Sequence, residues 1–197
     1  MSRIIAGSRR GRRITMPATD KTRPTTDRVR EALFSAITSW AGTAAETADS
    51  SLQGLGFCDL FAGSGAVGLE AASRGADPVL LVEADKRTAL TTSKNVSALG
   101  LPARVATMKV QTLVRQPAEV GYDVVFADPP YDLAAETVDD IVRDLVANGW
   151  VAADGLIVVE RSRRSPDVGW PPGFGGGWSR RYGETNLFFG QADNLGP

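Results

Sequence analysis

From Leu55 onward, short apolar runs alternate with segments of helical periodicity, and this alternation constrains the fold more than any other feature of the chain. The runs Gly56–Phe61, Pro78–Glu83, Arg104–Met108, Tyr122–Phe126 and Leu156–Glu160 have the length and continuity of strands buried on both faces. Between them lie expected helices over Ala66–Arg74, over Lys86–Leu99 with Gly100 after it, a short one ending at Arg115, and Ala135–Asn148. The last places Val138, Ile141, Val142 and Leu145 on one face, with Gly149 beyond it. A strand–helix–strand series closes as a parallel sheet with helices on both sides. Trp178–Tyr182 and Asn186–Phe189 read as a terminal hairpin, which brings the sheet to seven mostly parallel strands. Residues 162–177, rich in Gly, Pro and Arg, read as a loop, and residues 191–197 as a frayed tail.

The preceding residues have a different character. Residues 1–30 hold nine basic side chains against two acidic ones, a local charge of +7, although the whole chain carries −1. Such a split points to a basic surface that meets a polyanion. Arg3–Ala6 and Arg13–Met16 flank Gly7-Ser8-Arg9-Arg10-Gly11 and read as a hairpin with a basic tip. A helix then runs to Trp40, capped by Thr25 or Thr26, with Asp27 in its first turn and Val29, Leu33, Ala36, Ile37 and Trp40 on one face. Arg3, Arg9, Arg10, Arg12, Arg13, Arg23, Arg28 and Arg30 are the candidate nucleic-acid contacts, with no share in cofactor binding. The expected organisation is a basic extension over 1–41, a mobile linker over 42–54, a catalytic domain over 55–190 and the tail.

Composition removes several chemistries. The chain of 197 residues has no histidine and one cysteine, Cys58, inside an apolar run. Ser-His-Asp and Cys-His catalysis are excluded, as are imidazole or thiolate metal sites, and no spaced carboxylate cluster suggests a metal. The single buried-type thiol fits a reducing cytoplasm. No apolar run approaches the roughly 20 residues of a membrane span.

Two stretches carry chemistry. Asp59-Leu60-Phe61-Ala62-Gly63-Ser64-Gly65-Ala66-Val67-Gly68 joins the first strand to its helix, and Glu83 ends the second strand. Glycines let the backbone approach a ligand, and an acid about 20 residues on suits ribose hydroxyls. The pattern Gly63-x-Gly65-x-x-Gly68 fits NAD and S-adenosylmethionine alike. Asp59 favours the latter, because an acid beside the loop suits a cationic amino-acid moiety and repels a pyrophosphate. The second stretch, Asp128-Pro129-Pro130-Tyr131, ends the fourth strand. Neither proline can continue a ladder, so an acceptor and a flat ring are held in a stiff turn at the sheet's carboxyl edge, with no evident role in hydride transfer.

Together these motifs resemble class I S-adenosylmethionine-dependent methyltransferases that act on exocyclic amino groups. Arg3-Ile4-Ile5-Ala6-Gly7, the run from Arg23 to Phe34 and the late Gly183-Glu184-Thr185 resemble the RsmD family more specifically. The resemblance implies a Rossmann-like fold, S-adenosylmethionine as cofactor and N2 of a guanine in 16S ribosomal RNA as acceptor, within an assembling small subunit. It assigns Asp59, Phe61, Gly63, Gly65, Gly68 and Glu83 to the cofactor and Asp128, Pro129, Pro130 and Tyr131 to catalysis. Met108-Lys109-Val110-Gln111 stands where many such enzymes carry an Asp or Asn for the adenine, so the backbone amide near Val110 is the expected replacement. An N6-adenine DNA methyltransferase, an NAD-dependent oxidoreductase and a non-catalytic RNA-binding protein on the same fold are the competing readings.

Overall fold

The structure is a computed structural model that describes residues 2–17 and 26–193. Its centre is β3 (Phe57–Leu60), a strand buried at every position. The parallel strands β4 (Val79–Glu83) and β6 (Tyr122–Ala127) flank it. Outward from these lie β5 (Arg104–Thr107) on one side and β7 (Val151–Ser162) on the other. The antiparallel β9 (Thr185–Ala192) and β8 (Phe174–Tyr182) complete seven strands in the order β5-β4-β3-β6-β7-β9-β8. The sheet is therefore mostly parallel with a terminal hairpin.

Alternate side chains feed two cores, because successive strand residues point to opposite faces. Phe57, Leu81, Phe126 and Val158 pack with α1 (Asp27–Trp40) and α2 (Ala66–Ser73). Leu60, Val82, Ala127 and Val159 pack with α4 (Val110–Leu113) and α5 (Ala135–Ala147). The intervening α3 (Lys86–Leu99) contributes Leu99 to the first core. Thr26 caps α1 by accepting the Val29 amide at 3.3 Å. Its Phe34 stacks on Phe57 at 6.1 Å, so the helix assigned from sequence to a basic extension is a full layer of the core.

Several boundaries differ from the sequence expectation. The N-terminal ladder is only β1 (Ser2–Arg3) with β2 (Arg13–Ile14). It stops early because the Ile5 and Ala6 amides donate to the Glu70 carboxylate on α2, at 2.7 and 2.9 Å. Gly7, at φ +83°, brings the chain onto the end of α2, where Ser8 N–H donates to the Ser73 carbonyl at 2.7 Å. A Cβ on Gly7 would overlap the Ser73 backbone.

The stretch 42–54, expected to be a mobile linker, is a string of turns fastened at both ends. Thr43 Oγ1 donates to the Ser51 carbonyl at 2.7 Å and Leu52 N–H to the Arg74 carbonyl at 2.9 Å, while Leu52 itself is fully buried. Strand β7 begins at Val151 rather than Leu156, because Asp154 at φ +60° and a register shift against β6 absorb the turn-like Ala-Asp-Gly. Strand β8 takes in 174–177 from the expected loop. Two glycines there serve close packing: a Cβ on Gly177 would meet the Trp170 ring, and one on Gly175 the Asp193 carboxylate. Strand β9 extends through Gln191 and Ala192, so the expected tail is ordered strand there, and residues 194–197 lie outside the described residues. Among the described residues no helix is long and apolar enough to cross a membrane.

Candidate active site

The strand order reverses direction at β3, so the loops after β3 and β6 diverge from neighbouring carboxyl ends. Asp59 pairs in register with Phe126 and Leu60 with Ala127. The next residue, Asp128, turns away with its amide 3.5 Å from the Leu60 carbonyl. Open α/β sheets bind ligands at such a switch point. Here the topology brings together two motifs separated by about 65 residues of sequence.

The glycine loop is held from several directions. Phe61 sits at φ +63°, a conformation costly for a non-glycine residue and characteristic of functional turns. Ala62 N–H donates to the Val82 carbonyl at 2.8 Å, and Gly63 N–H to Glu83 Oε2 at 3.0 Å. Glu83 Oε1 accepts the Asp85 amide at 2.8 Å, so this carboxylate is fixed by two backbone donors. Asp59 is buried and accepts the Gly68 amide at 2.8 Å. Burial pushes the Asp59 carboxyl up to about 7; the Gly68 N–H opposes the rise and the neighbouring Glu83 charge adds to it. Gly68 has no room for a side chain, because a Cβ there would run into Leu81 and Asp59.

Two α3 residues that sequence reasoning missed complete the loop's support. Thr92 Oγ1 donates to the Gly63 carbonyl at 2.5 Å, and Asn95 Nδ2 to the Ser64 carbonyl at 2.9 Å. Asn95 also exchanges hydrogen bonds with both backbone groups of Thr15, at 3.0 and 2.9 Å. The three-residue spacing on one helix face was the only available signal.

The glycine loop and Glu83 line a cleft of about 530 Å³, with Thr92 and Asn95 supporting the loop from behind. Of the expected cofactor residues, Asp59, Phe61, Gly63, Glu83 and Val110 reach it, and Asp128 and Pro130 enter from the opposite loop. Gly65 and Gly68 shape the turn and the start of α2 behind it, Gly65 as its N-cap residue at φ +81°. Asp85, Thr88, Lys109 and Gln111 also face the cleft and were not expected. Met16 and Pro17 face it as well, although residues 1–30 were expected to take no part in cofactor binding. Pro129 is buried, and Tyr131, 60% exposed, lines a second pocket with Thr26, Arg28, Glu160 and the β8–β9 turn.

The arginines divide sharply. Arg3, Arg10, Arg12, Arg13 and Arg28 are exposed. Arg9 is half-buried and donates through Nε to the Leu99 carbonyl at 2.6 Å, closing the end of α3. Arg30 is fully buried, which removes it from any nucleic-acid surface. Its guanidinium bonds Ser2 Oγ at 3.1 Å, the Arg3 carbonyl at 2.9 Å and Asp27 at 2.7 Å. Burial lowers its pKa, and the Asp27 and Glu70 charges oppose that shift. Arg23 lies outside the described residues.

The strand order, the glycine turn after β3 and the acid-proline turn after β6 define a Rossmann-like class I methyltransferase. The chain belongs to the family described as Conserved hypothetical protein 95, whose model matches residues 2–191. This is the RsmD family that the N-terminal and late motifs resemble. The chain is 38% identical over 161 residues to ribosomal RNA small subunit methyltransferase D of Escherichia coli K12, covering 80% of this chain and 73% of that protein. A solved structure titled putative methyltransferase yhhF from Escherichia coli superposes with a TM-score of 0.83 at 32% identity, covering 98% of this chain and 99% of that one. The fold is also shared, at 19% identity and a TM-score of 0.61, with the T. thermophilus 16S rRNA N2 methyltransferase RsmC in complex with AdoMet and guanosine. That match covers 89% of this chain and 44% of the other.

Proposed function

We propose that the protein transfers a methyl group from S-adenosylmethionine to the exocyclic N2 of a guanine in small-subunit ribosomal RNA, in the cytoplasm, during assembly of the subunit. One observation carries this reading: Asp128 and Pro130 line the same cleft as the glycine loop and Glu83. A methyl donor bound on the loop would thus present its reactive end to the acid-proline turn.

The residues fit that cofactor. Each Glu83 oxygen accepts one backbone amide and keeps a second lone pair for a ribose hydroxyl. Phe61, Val82 and Val110 offer apolar walls for a flat ring. Asp59, buried with a raised pKa, gains from a cationic amino group beside it.

The bound donor supplies an electrophilic methyl on a sulfonium, with a neutral thioether as leaving group. The chain's own work concerns the acceptor. Guanine N2 donates its lone pair into the ring, so it attacks only when its hydrogens are held out of the ring plane. Asp128 and the Pro129 carbonyl would accept those two hydrogens, and Tyr131 would stack on the base. Holding reactants in an attack geometry contributes up to about 7–11 kcal/mol. The Asp128 charge also stabilises positive charge developing on nitrogen, and the methylated nitrogen then gives up one of its two hydrogens as a proton to water. The exposed Arg10, Arg12, Arg13 and Arg28 would meet phosphates, and a base in an unpaired loop leaves its stack at least cost.

The test supplies labelled S-adenosylmethionine with 16S rRNA or 30S particles from cells lacking this activity, followed by nucleoside analysis. The expected product is N2-methylguanosine. Recovery of N6-methyladenosine, or of no methylated nucleoside from either substrate, would overturn the reading.

A further inference from the structure

The acid-proline turn contributes to two cavities. Asp128 and Pro130 line the donor cleft, while the next residue, Tyr131, lines a pocket of about 300 Å³ on the side of α1 and the β8–β9 turn. Its other walls come from Arg28 on α1, Arg181 and Tyr182 on β8, and Glu160 near the end of β7. Glu160 is only 6% exposed, so the pocket has a carboxylate held within the protein. Arg28 and Arg181 are both exposed.

We propose that this pocket receives the acceptor nucleoside and that Glu160 selects guanine by accepting its N1–H. The proposal rests on the RNA-methyltransferase reading above and adds the group that tells one base from another. A base stacked on Tyr131 turns its Watson–Crick edge toward the protein, as extruded bases do. Guanine carries a donor at N1 beside its amino group, whereas adenine carries a lone pair at N1. A carboxylate is acceptor-only and has about four lone-pair sites, so it binds N1–H in addition to partners within the protein and repels a bare N1. The two amino hydrogens then remain with Asp128 and the Pro129 carbonyl. Arg28 and Arg181 suit the phosphates of the extruded nucleotide, positioning it without reading sequence. Glu160 is thus a specificity-determining residue, and the β8–β9 turn is part of the acceptor site.

The probe is 2-aminopurine, which keeps the N2 amino group but has a bare N1. It replaces the target guanine in a short RNA carrying the mapped site, and kcat/KM is measured for both RNAs. The wild-type protein should favour guanine by at least about 10²-fold, since sites built around a hydrogen bond reject analogues that lack it strongly. Glu160→Gln, whose amide can donate to a bare N1, should narrow that ratio at least about tenfold while binding the demethylated cofactor as tightly as wild type. Equal use of both RNAs by wild type, or equal slowing of both by Glu160→Gln, overturns the assignment. If the variant does not fold, a wild-type ratio near one still overturns the assignment. Wild type that methylates no guanine RNA at all sinks the methyltransferase reading itself, whereas guanine methylation without discrimination sinks only the role of Glu160.

Discussion

Arg161 on β7 donates to the Leu133 carbonyl at 2.9 Å and so fastens the far end of the acid-proline turn to the sheet. Leu133 N–H in turn donates to the Pro130 carbonyl at 3.0 Å, which closes the turn on itself. Arg161→Ala should therefore lower kcat by about 10²-fold, the cost of misplacing a reacting group by roughly 1 Å. Calorimetry with the demethylated cofactor should show unchanged affinity, because the glycine loop is untouched. Unchanged kcat would mean that the prolines hold the turn without help.

Glu70 ties the N-terminal hairpin to α2 through two backbone amides and pairs with Arg74 at 3.0 Å. It is fully buried, and the Arg74 guanidinium lies 4.7 Å above the Phe34 ring. Removing one partner of a buried pair typically costs about 3–5 kcal/mol. Glu70→Ala should lower the urea midpoint accordingly and speed trypsin cleavage across Arg9 through Arg13. A loss under about 1 kcal/mol would show that the hairpin docks by other means.

Tyr131 should act through its ring. Tyr131→Phe should retain most activity, and Tyr131→Ala should lose about 1–3 kcal/mol of base stacking. Steady-state kinetics on RNA decide the point: equal damage in both variants assigns the work to the hydroxyl.

Asp128 should serve as acceptor and charge stabiliser. Asp128→Asn keeps an acceptor oxygen and should remain measurably active, while Asp128→Ala should lose about 10²–10³-fold in single-turnover rate. If the Asn variant is as inactive as the Ala variant while both bind cofactor, the negative charge or proton acceptance is indispensable.

Asp59 should make cofactor affinity depend on pH. Its carboxyl lies near 7 in the folded protein against an ordinary 3.8, so the folded state holds the extra proton between those values. Stability from this group is therefore greatest at the acid end and declines as pH rises through the window. A cationic ligand has the opposite preference, because it needs the ionised form. Affinity for the demethylated cofactor should rise by up to about tenfold per pH unit below 7 and level off above it. Asp59→Asn should flatten the profile; a variant with the wild-type slope would assign the titration elsewhere.

Much of this architecture is legible in the chain. Buried runs such as Phe57–Leu60 and Val79–Glu83 announce central strands, and the glycine turn and the acid-proline turn announce themselves by local chemistry. What local chemistry does not carry is long-range partnership. The same residue type gives Arg28 an exposed head and Arg30 a buried one, because only Arg30 finds Ser2, the Arg3 carbonyl and Asp27 within reach. Thr92 and Asn95 look like ordinary helix-surface polar residues until folding brings the glycine loop beneath them. Gly175 and Gly177 read as loop residues until Asp193 and Trp170 occupy the space that side chains would need.

The two cavities also differ in when they can exist during synthesis. Every residue lining the donor cleft, from Met16 to Pro130, precedes α5 in the chain. The pocket beside Tyr131 joins Thr26, Arg28 and Val29 near the start of the chain to Arg181–Thr185 near its end. It can close only once β9 has inserted between β7 and β8. The cleft proposed for the donor thus draws its lining from nothing beyond Pro130, whereas the pocket proposed for the acceptor must wait for the terminal hairpin.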